Sequence, residues 1–213
     1  MQIEFQIVLP NPLVEIARTD ESLWNSNVIF ESGKRILLNA SSGKGKTTFV
    51  HTLMGLRKDF TGVVLIDSKN TKSFSSDQWV ELRQRKIAVV YQDLQLFPQL
   101  TVEENLKLKA ELTGSFDIDF AKNKIEFLGL KEKWNQPCGL LSMGQQQRLA
   151  IVRALIQPFE WLVMDEPFSH LDQNNTNLCM QLINERCKEI NAGFILTTLD
   201  ANDNLNFDYE VKL

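Results

Sequence analysis

The sequence is poor in cysteine and has no long apolar run, and both absences exclude classes of protein. Its 213 residues include only three cysteines, Cys138, Cys179 and Cys187, without any C-x-x-C spacing. An odd and sparse set argues against a disulfide framework and predicts reduced thiols in the cytosol. No stretch of about 18 apolar residues is present, so we do not expect the chain to span a membrane by itself. Residues 1–12 lack a basic segment followed by an apolar one, so we expect no signal peptide.

Positive charge is also scarce relative to negative charge. The chain carries 23 Lys and Arg against 27 Asp and Glu, which gives a net charge of −4. The chain lacks the excess of Lys and Arg that is typical of nucleic-acid-binding domains, so we expect no nucleic-acid partner. With 43% hydrophobic and 23% charged residues, the composition is typical of a globular protein. A chain of this length suits one domain with a substantial core.

The hydrophobic pattern predicts an alternation of strands and helices. Strands are expected over residues 3–9, 28–30, 34–39, 63–67, 87–92, 161–164, 193–198 and 210–213, and helices over residues 49–56, 76–85, 101–112, 119–128, 144–156 and 173–190. The first strand is expected at a sheet edge, and Pro10 and Pro12 are expected to end it. The early strands look antiparallel, with a turn at Ser32 and Gly33. The later alternation predicts a mainly parallel sheet with helices on both faces, which is an α/β architecture.

A helix-rich stretch in the middle of the chain predicts a subdomain within a single domain. Residues 93–157 are rich in helical patterns, and residues 101–104 have the Thr-x-x-Glu spacing of a capping box. We expect residues 1–213 to form one domain, with a core of residues 1–92 and 158–213 and an inserted helical subdomain. The early strands form an N-terminal antiparallel β part of that core.

A glycine-rich loop is the clearest sign of function. Residues 40–48 read Ala-Ser-Ser-Gly-Lys-Gly-Lys-Thr-Thr and stand between a predicted strand and a predicted helix. This arrangement points successive backbone N–H groups and a helix N-terminus at one place, where they can hold a polyphosphate. Lys46 would reach the β- and γ-phosphates, and the Thr47 hydroxyl would ligate Mg²⁺. The predicted phosphate-contacting residues are Ser41, Ser42, Gly43, Lys44, Gly45, Lys46, Thr47 and Thr48.

The loop differs at one position from the pattern G-x-x-x-x-G-K-[ST]. Ala40 stands where the first glycine is expected, and alanine is tolerated there if its φ is negative. Lys44 adds a cation that we expect to point to solvent. The alternative interpretation is a glycine turn in which Lys-Thr occurs by chance.

A pair of carboxylates follows one of the predicted strands. Asp165 and Glu166 come directly after the apolar residues 161–164, and the carboxyl end of such a strand lies beside the phosphate loop in this architecture. Asp165 would hold Mg²⁺, and Glu166 would accept a proton from the attacking water. The alternative is an acidic turn that leads into Pro167. The phosphate loop favours the catalytic interpretation.

Three further motifs carry a resemblance to a known family. Residues 91–93 read Tyr-Gln-Asp, residues 141–145 read Leu-Ser-Met-Gly-Gln, and residues 169–172 read Ser-His-Leu-Asp. In type and order they resemble the glutamine loop, the signature motif and the D-loop of ATP-binding cassette (ABC) ATPases. The resemblance covers nearly the whole chain. The small cassettes of the lipoprotein-release, macrolide-export and cell-division type look most similar.

The resemblance implies a P-loop NTPase fold, the cofactors ATP and Mg²⁺, and the ATP-hydrolysing subunit of a membrane transporter or related membrane machine. It implies a head-to-tail dimer with a second copy or a paralogous cassette, in which Ser142, Gly144 and Gln145 face the ATP held by the other copy. Gln92 would contact Mg²⁺ or the attacking water, and Asp172 would help fasten the dimer. A transmembrane permease would hold the chain at the cytoplasmic face of the cell membrane. The implied catalytic residues are Glu166, Gln92 and Lys46, and the implied metal ligands are Thr47, Gln92 and Asp165.

One departure from the family pattern bears on turnover. The family usually has a histidine after the last core strand, but Leu199 occupies that position in the run Thr-Thr-Leu-Asp at residues 197–200. Leucine cannot donate to a γ-phosphate, and loss of one such donor commonly costs ~10²–10³ in rate. The alternative function is therefore a nucleotide-gated dimerisation module with very slow or no hydrolysis. Met143, which replaces the first glycine of the signature, is expected to have a small effect.

The contact to adenine stays open at this stage. Cassettes usually place an aromatic ring on the base from a loop before the phosphate loop, and Trp24 and Phe5 are the candidates. Trp24 is expected to pack in the interior instead. Of the two histidines, His51 is expected on a helix surface or in the core, and His170 lies in the D-loop. The transported substrate and the direction of transport depend on the membrane partner.

Overall fold

Two β-sheets and six α-helices build the part of the chain that the structure describes. The computed structural model describes residues 1–15, 22–39, 41, 43–114, 117–198 and 206–213. The strands are β1 (Ile3–Pro10), β2 (Asn27–Phe30), β3 (Arg35–Asn39), β4 (Phe60–Ile66), β5 (Lys69–Asn70), β6 (Ile87–Val90), β7 (Trp161–Asp165), β8 (Gly193–Thr198) and β9 (Tyr209–Lys212). The helices are α1 (Lys46–Leu53), α2 (Ser76–Glu81), α3 (Val102–Thr113), α4 (Ile118–Phe127), α5 (Met143–Leu155) and α6 (Gln173–Ile190).

The smaller sheet is antiparallel and has the strand order β2-β1-β4-β5. Ile3 at the start of β1 lies opposite Phe30 of β2 on one side and opposite Ile66 of β4 on the other. β1 is therefore an interior strand, and the predicted edge position is wrong. Proline lacks an N–H donor, but Pro10 is the last residue of β1, so the bonds inside the ladder are not lost.

The larger sheet is parallel throughout and confirms the α/β architecture. Its strand order is β6-β7-β8-β3-β9. The turn at residues 32–33 does not close a hairpin, because it takes the chain from β2 in the antiparallel sheet to β3 in the parallel one. Among the early strands, β1, β2 and β4 are antiparallel as expected, and β3 is the exception.

Both faces of the parallel sheet are covered. Successive residues of a strand point to opposite faces, and the buried residues of β7 divide in this way. Leu162 and Met164 pack in a cluster with residues of α3, α4, α5 and α6. Trp161 and Val163 pack in a second cluster with residues of α1 and the antiparallel sheet. This layering confirms the predicted helices on both faces and brings the antiparallel sheet against α1.

Helices α3 to α5 follow β6 in the chain and precede β7. The start of α3 is set by a capping box, in which the Glu104 N–H donates to the Thr101 hydroxyl at 3.2 Å and the Thr101 N–H donates to the Glu104 carboxylate at 2.8 Å. This confirms the predicted box. No helix in the described ranges is both long enough and apolar enough to cross a bilayer. The division into a core and a helical subdomain at residues 93–157 stays a prediction.

Candidate functional site

The phosphate loop lies between β3 and α1. Gly43 and Gly45 have φ values of +78° and +101°, which favour glycine because a side chain would be strained there. Helix α1 begins at Lys46, directly after Gly45. The loop therefore ends at a helix N-terminus, whose free N–H groups and dipole attract an anion. Ala40 and Ser42 lie outside the described residues, so the expectations for them stay predictions.

Lys46 is the buried cation of this site. Its side chain is 6% exposed, and its ammonium group lies 3.3 Å from the Ser41 carbonyl oxygen and 3.3 Å from a Glu166 carboxylate oxygen. Ser41 itself is exposed, whereas Lys44 and Thr48 are half-buried. The fold thus brings together the cation expected to hold phosphate and the carboxylate expected to accept a proton.

Asp165 is the buried carboxylate at the end of β7. One of its oxygens accepts the Thr47 hydroxyl at 2.7 Å, and the other accepts the Thr197 hydroxyl at 2.7 Å. Thr197 lies next to Asp165 in the register of β7 and β8 and is completely buried. No sequence motif predicted a role for Thr197. Its position at the end of a strand beside the strand of Asp165 was the signal available.

Glu166 has an uncommon backbone conformation. Its φ is +49°, in the left-handed region that costs a residue with a side chain about 1 kcal/mol or more. The Glu166 N–H donates to the Thr197 carbonyl oxygen at 3.1 Å, which holds this conformation. The turn directs the Glu166 carboxylate to Lys46 and leaves its side chain 15% exposed. Thr197 therefore binds the carboxylate of Asp165 and the backbone N–H of Glu166.

Oxygen atoms of three side chains meet beside the start of α1. The Thr47 hydroxyl lies 2.7 Å from the Asp165 carboxylate and 3.4 Å from the Gln92 amide oxygen. Hydroxyl, carboxylate and amide oxygens are the ligands that hard divalent cations prefer. The residues expected to hold Mg²⁺ are thus together, and their chemistry fits that ion.

A cavity of about 530 Å³ opens beside these oxygen atoms. It is lined by Thr47, His51, Leu56, Tyr91, Gln92, Asp93, Gln95 and Asp165. The His51 ring lies against Tyr91, with 6.2 Å between the ring centroids. His51 is therefore a wall residue of the cavity, on the same helix as Thr47. Within the described ranges, the signature residues 142–145 do not line this cavity.

The glutamine loop is held by an arginine that the sequence analysis missed. Leu94 and Gln95 have φ values of +59° and +51°. The Arg153 guanidinium, from α5, donates at 2.6 Å to the carbonyl oxygen of each. Burial lowers the pKa of Arg153 from its usual value. Arg153 thus ties the loop that follows Gln92 to α5.

The signature residues lie at the start of α5. Ser142 is the N-cap, with its hydroxyl accepting the Gln145 N–H at 3.4 Å, while the Gln145 side chain accepts the Ser142 N–H at 2.9 Å. Gly144 lies in the first turn, and a Cβ atom there would stand 2.8 Å from the His170 carbonyl oxygen. Ser142 and Met143 are exposed. The N-terminus of α5 is therefore open to an anion from outside.

The D-loop packs against α5 of the same chain. The buried Gln147 side chain donates to the Ser169 hydroxyl at 2.8 Å and accepts the His170 N–H at 3.0 Å. Asp172 is the N-cap of α6 and accepts the Asn175 N–H at 2.8 Å. Backbone and side-chain hydrogen bonds from Asn175 lower the pKa of Asp172. The structure thus joins the signature to the D-loop through Gln147.

Neither candidate for adenine stacking has a free ring. Phe5 is completely buried and stacks on Phe49 of α1, with ring centroids 5.1 Å apart. Trp24 is 2% exposed and packs behind the phosphate loop. The interior position expected for Trp24 is confirmed. Leu199, at the position of the usual histidine, lies outside the described residues.

Two relatives and two solved structures show what the chain is similar to. It is 30% identical to the lipoprotein-releasing system ATP-binding protein LolD of Shewanella denitrificans, over 90% of this chain and 83% of the relative. It is 31% identical to the LolD protein of Legionella pneumophila, over 85% and 82%. The dimeric structure of MJ0796, a bacterial ABC transporter cassette, matches with a TM-score of 0.84 at 26% identity, over 99% and 94% of the two chains. A dimeric post-hydrolysis state of MJ0796 bound to ADP and Pi matches with a TM-score of 0.79 at 27% identity, over 93% and 88%.

The match to a family covers most of the chain. Residues 23–169 match the family described as ABC transporter, and this range contains the phosphate loop, the glutamine loop, the signature and both strand-end carboxylates. These matches favour an ATPase over a dimerisation module without hydrolysis. The chain therefore belongs to the ABC transporter family, as an ATP-binding and ATP-hydrolysing cassette of a transporter.

Proposed function

We propose that this cassette hydrolyses MgATP with Glu166 as the general base. The proposal rests on one observation: the end of β7 meets the start of α1, which brings together Lys46, Thr47, Asp165 and Glu166. An ammonium group and a helix N-terminus suit the phosphates. A carboxylate held by a strained turn beside them suits a group that removes a proton from water.

The proposed Mg²⁺ ligands are Thr47, Asp165 and Gln92. The ion, when bound, would neutralise charge on the β- and γ-phosphates. The protein's part is to present oxygen atoms in a fixed arrangement, and Thr197 does this for Asp165 by a hydrogen bond of 2.7 Å. Thr47 would hold the ion through its hydroxyl oxygen, the group that donates to Asp165 in this structure.

The proposed active form is a head-to-tail dimer with a second copy or a paralogous cassette. Ser142, Gly144 and Gln145 stand at the exposed N-terminus of α5, which suits the γ-phosphate held by the partner. The printed description of MJ0796 as dimeric supports an assembly of two cassettes. Asp172 and the D-loop would lie at the same interface.

The proposed membrane partner is a permease subunit at the cytoplasmic face of the cell membrane. The relatives are named as parts of a lipoprotein-releasing system, which supports a membrane machine of that class. A groove of about 270 Å³ is a candidate surface for this contact. Met54 and Ile87 line one part of it, and Lys109 of α3 and Arg153 of α5 line another. Movement there would reach Gln92 through the bonds from Arg153 to the glutamine loop.

The test of the catalytic proposal compares wild type with Glu166→Gln. The amide keeps the size of the side chain but cannot accept the proton, so we expect steady-state ATP turnover to fall about 10³-fold. ATP affinity, measured by calorimetry, should be retained. Glu185→Gln on the exposed face of α6 is the matched control and should leave turnover unchanged. Wild-type turnover no faster than that of Glu166→Gln would exclude Glu166 as the base.

A further inference from the structure

Trp24 makes a direct hydrogen bond to the backbone of the phosphate loop. Its indole N–H donates to the Lys44 carbonyl oxygen at 3.1 Å. The indole ring and Leu13 also lie close to Gly45. A Cβ atom added at Gly45 would stand 3.1 Å from the indole nitrogen and 2.6 Å from a methyl group of Leu13. Trp24 and Leu13 therefore form one wall behind the peptide group that joins Lys44 to Gly45.

The segment that carries Trp24 is itself anchored. The Trp24 N–H donates to the Ser22 hydroxyl at 3.1 Å. The Leu23 N–H donates to the Lys212 carbonyl oxygen at 2.8 Å, and the Asn25 N–H donates to the Val8 carbonyl oxygen at 2.8 Å. These bonds attach the segment to β9 and β1. The indole N–H is thus held at a fixed place and can define the position of the loop.

The direction of the Lys44 carbonyl decides the direction of the next N–H. The described peptide bonds are all trans, and in a trans peptide the C=O and the N–H of the following residue point to opposite sides. Because the Lys44 carbonyl points at Trp24, the Gly45 N–H points away from the wall. Backbone N–H groups on that side of such a loop are the donors that hold the phosphates.

We infer that Trp24 is a positioning residue for the polyphosphate, which orients the Gly45 N–H through the Lys44 carbonyl and makes no contact with the base. This inference rests on the proposed binding of ATP at the phosphate loop. It accounts for a tryptophan that is 2% exposed and still has its polar atom satisfied by the loop. It also gives Leu13 a role as the apolar half of the wall.

The test uses Trp24→Phe, which keeps an aromatic ring but removes the N–H donor. We expect the dissociation constant for ATP to rise about threefold to tenfold, the effect of one neutral hydrogen bond. Inorganic tripolyphosphate, measured as a competitor of ATP, should lose affinity by the same factor, because it has phosphates and no base. Trp134→Phe, at a distant half-buried tryptophan, is the matched control and should change neither value.

The outcomes separate three interpretations. If affinity for ATP falls but affinity for tripolyphosphate does not, Trp24 contacts the base. If affinity for both ligands is unchanged, the bond to Lys44 has no role in binding. Either result overturns the inference. If Trp24→Phe does not fold, Leu13→Ala loosens the same wall and should weaken both ligands equally. Lys46→Ala tests the site itself: if it retains full affinity for both ligands, the proposed site is wrong, whatever Trp24 does.

Discussion

The phosphate-loop side and the signature side of this cassette satisfy their polar groups in opposite ways. On the phosphate-loop side, buried groups bind one another: Lys46 contacts Glu166, and Thr47 and Thr197 both donate to Asp165. On the signature side, Ser142 binds only within its own helix turn and stays exposed. The phosphate-loop side is therefore a built pocket, whereas the signature side is a surface that a second molecule can complete.

The two sides also differ in what supports them. Behind the phosphate loop stands a rigid wall of Trp24 and Leu13, attached to both sheets. Behind the signature stands the D-loop, joined to α5 by two hydrogen bonds of Gln147. The signature therefore depends on a loop, which can adjust to a partner more easily than a sheet can.

The largest effect is expected for Lys46→Ala. It removes the proposed charged contact to phosphate and the ammonium group that faces the Glu166 carboxylate, so we expect ATP affinity to fall ~100-fold. Isothermal titration calorimetry measures this. Lys58→Ala, which removes an exposed cation after α1, is the control and should bind ATP as wild type does. Unchanged affinity of Lys46→Ala would contradict the idea of a built pocket on this side.

An intermediate effect is expected for Gln147→Leu. The substitution removes the two hydrogen bonds that the buried Gln147 side chain makes to the exposed residues Ser169 and His170, so the free energy of unfolding should fall by about 2 kcal/mol, about 1 kcal/mol for each bond. Urea denaturation measures it. Gln146→Leu is the control, because the half-buried Gln146 side chain has one bond, to the Leu141 carbonyl oxygen at 3.0 Å, and should cost less. Equal losses in the two variants would mean that the D-loop does not support the signature.

The smallest effect is expected for Gly144→Ala. The added methyl group would meet the His170 carbonyl oxygen at 2.8 Å, so the start of α5 or the D-loop must shift. We expect ATP-dependent dimerisation of the Glu166→Gln protein, measured by analytical ultracentrifugation, to weaken about fivefold, or about 1 kcal/mol. ATP binding to the monomer should not change. Met143→Ala at the exposed neighbouring position is the control, and a dimer unaffected by Gly144→Ala would separate the signature from the interface.

Local sequence patterns predicted most of the strands and helices and the polar residues that meet at the candidate site. Three of these patterns involve only residues that are close together in the chain, so they can be recognised from the local sequence. They are the run that ends in Gly-Lys-Thr, the two carboxylates after an apolar strand and the Thr101 capping box. The residues that were missed act across the chain. Thr197 reaches Asp165 from an adjacent strand, and Arg153 reaches the glutamine loop from another helix.

The misplaced strand has the same explanation. Pro10 and Pro12 mark the end of β1 correctly, but a sheet edge is a property of pairing and not of one strand. The turn at residues 32–33 likewise gives no sign that the chain changes sheets. Trp24 was expected to be a packing residue because it does not align well with the adenine-stacking position, and the sequence offered no reason to place its N–H on the phosphate loop.

The class of fold, the family and the residues predicted to contact phosphate all follow from the amino-acid sequence alone. Those properties depend on residue types at short spacings, which backbone geometry converts directly into a loop, a helix start and a strand end. Three contacts appear only in the folded chain: Lys46 with Glu166, Thr197 with the Asp165 carboxylate and the Glu166 N–H, and Trp24 with the phosphate loop. These contacts join residues from 20 to more than a hundred positions apart, and their partners are chosen by sheet order and packing.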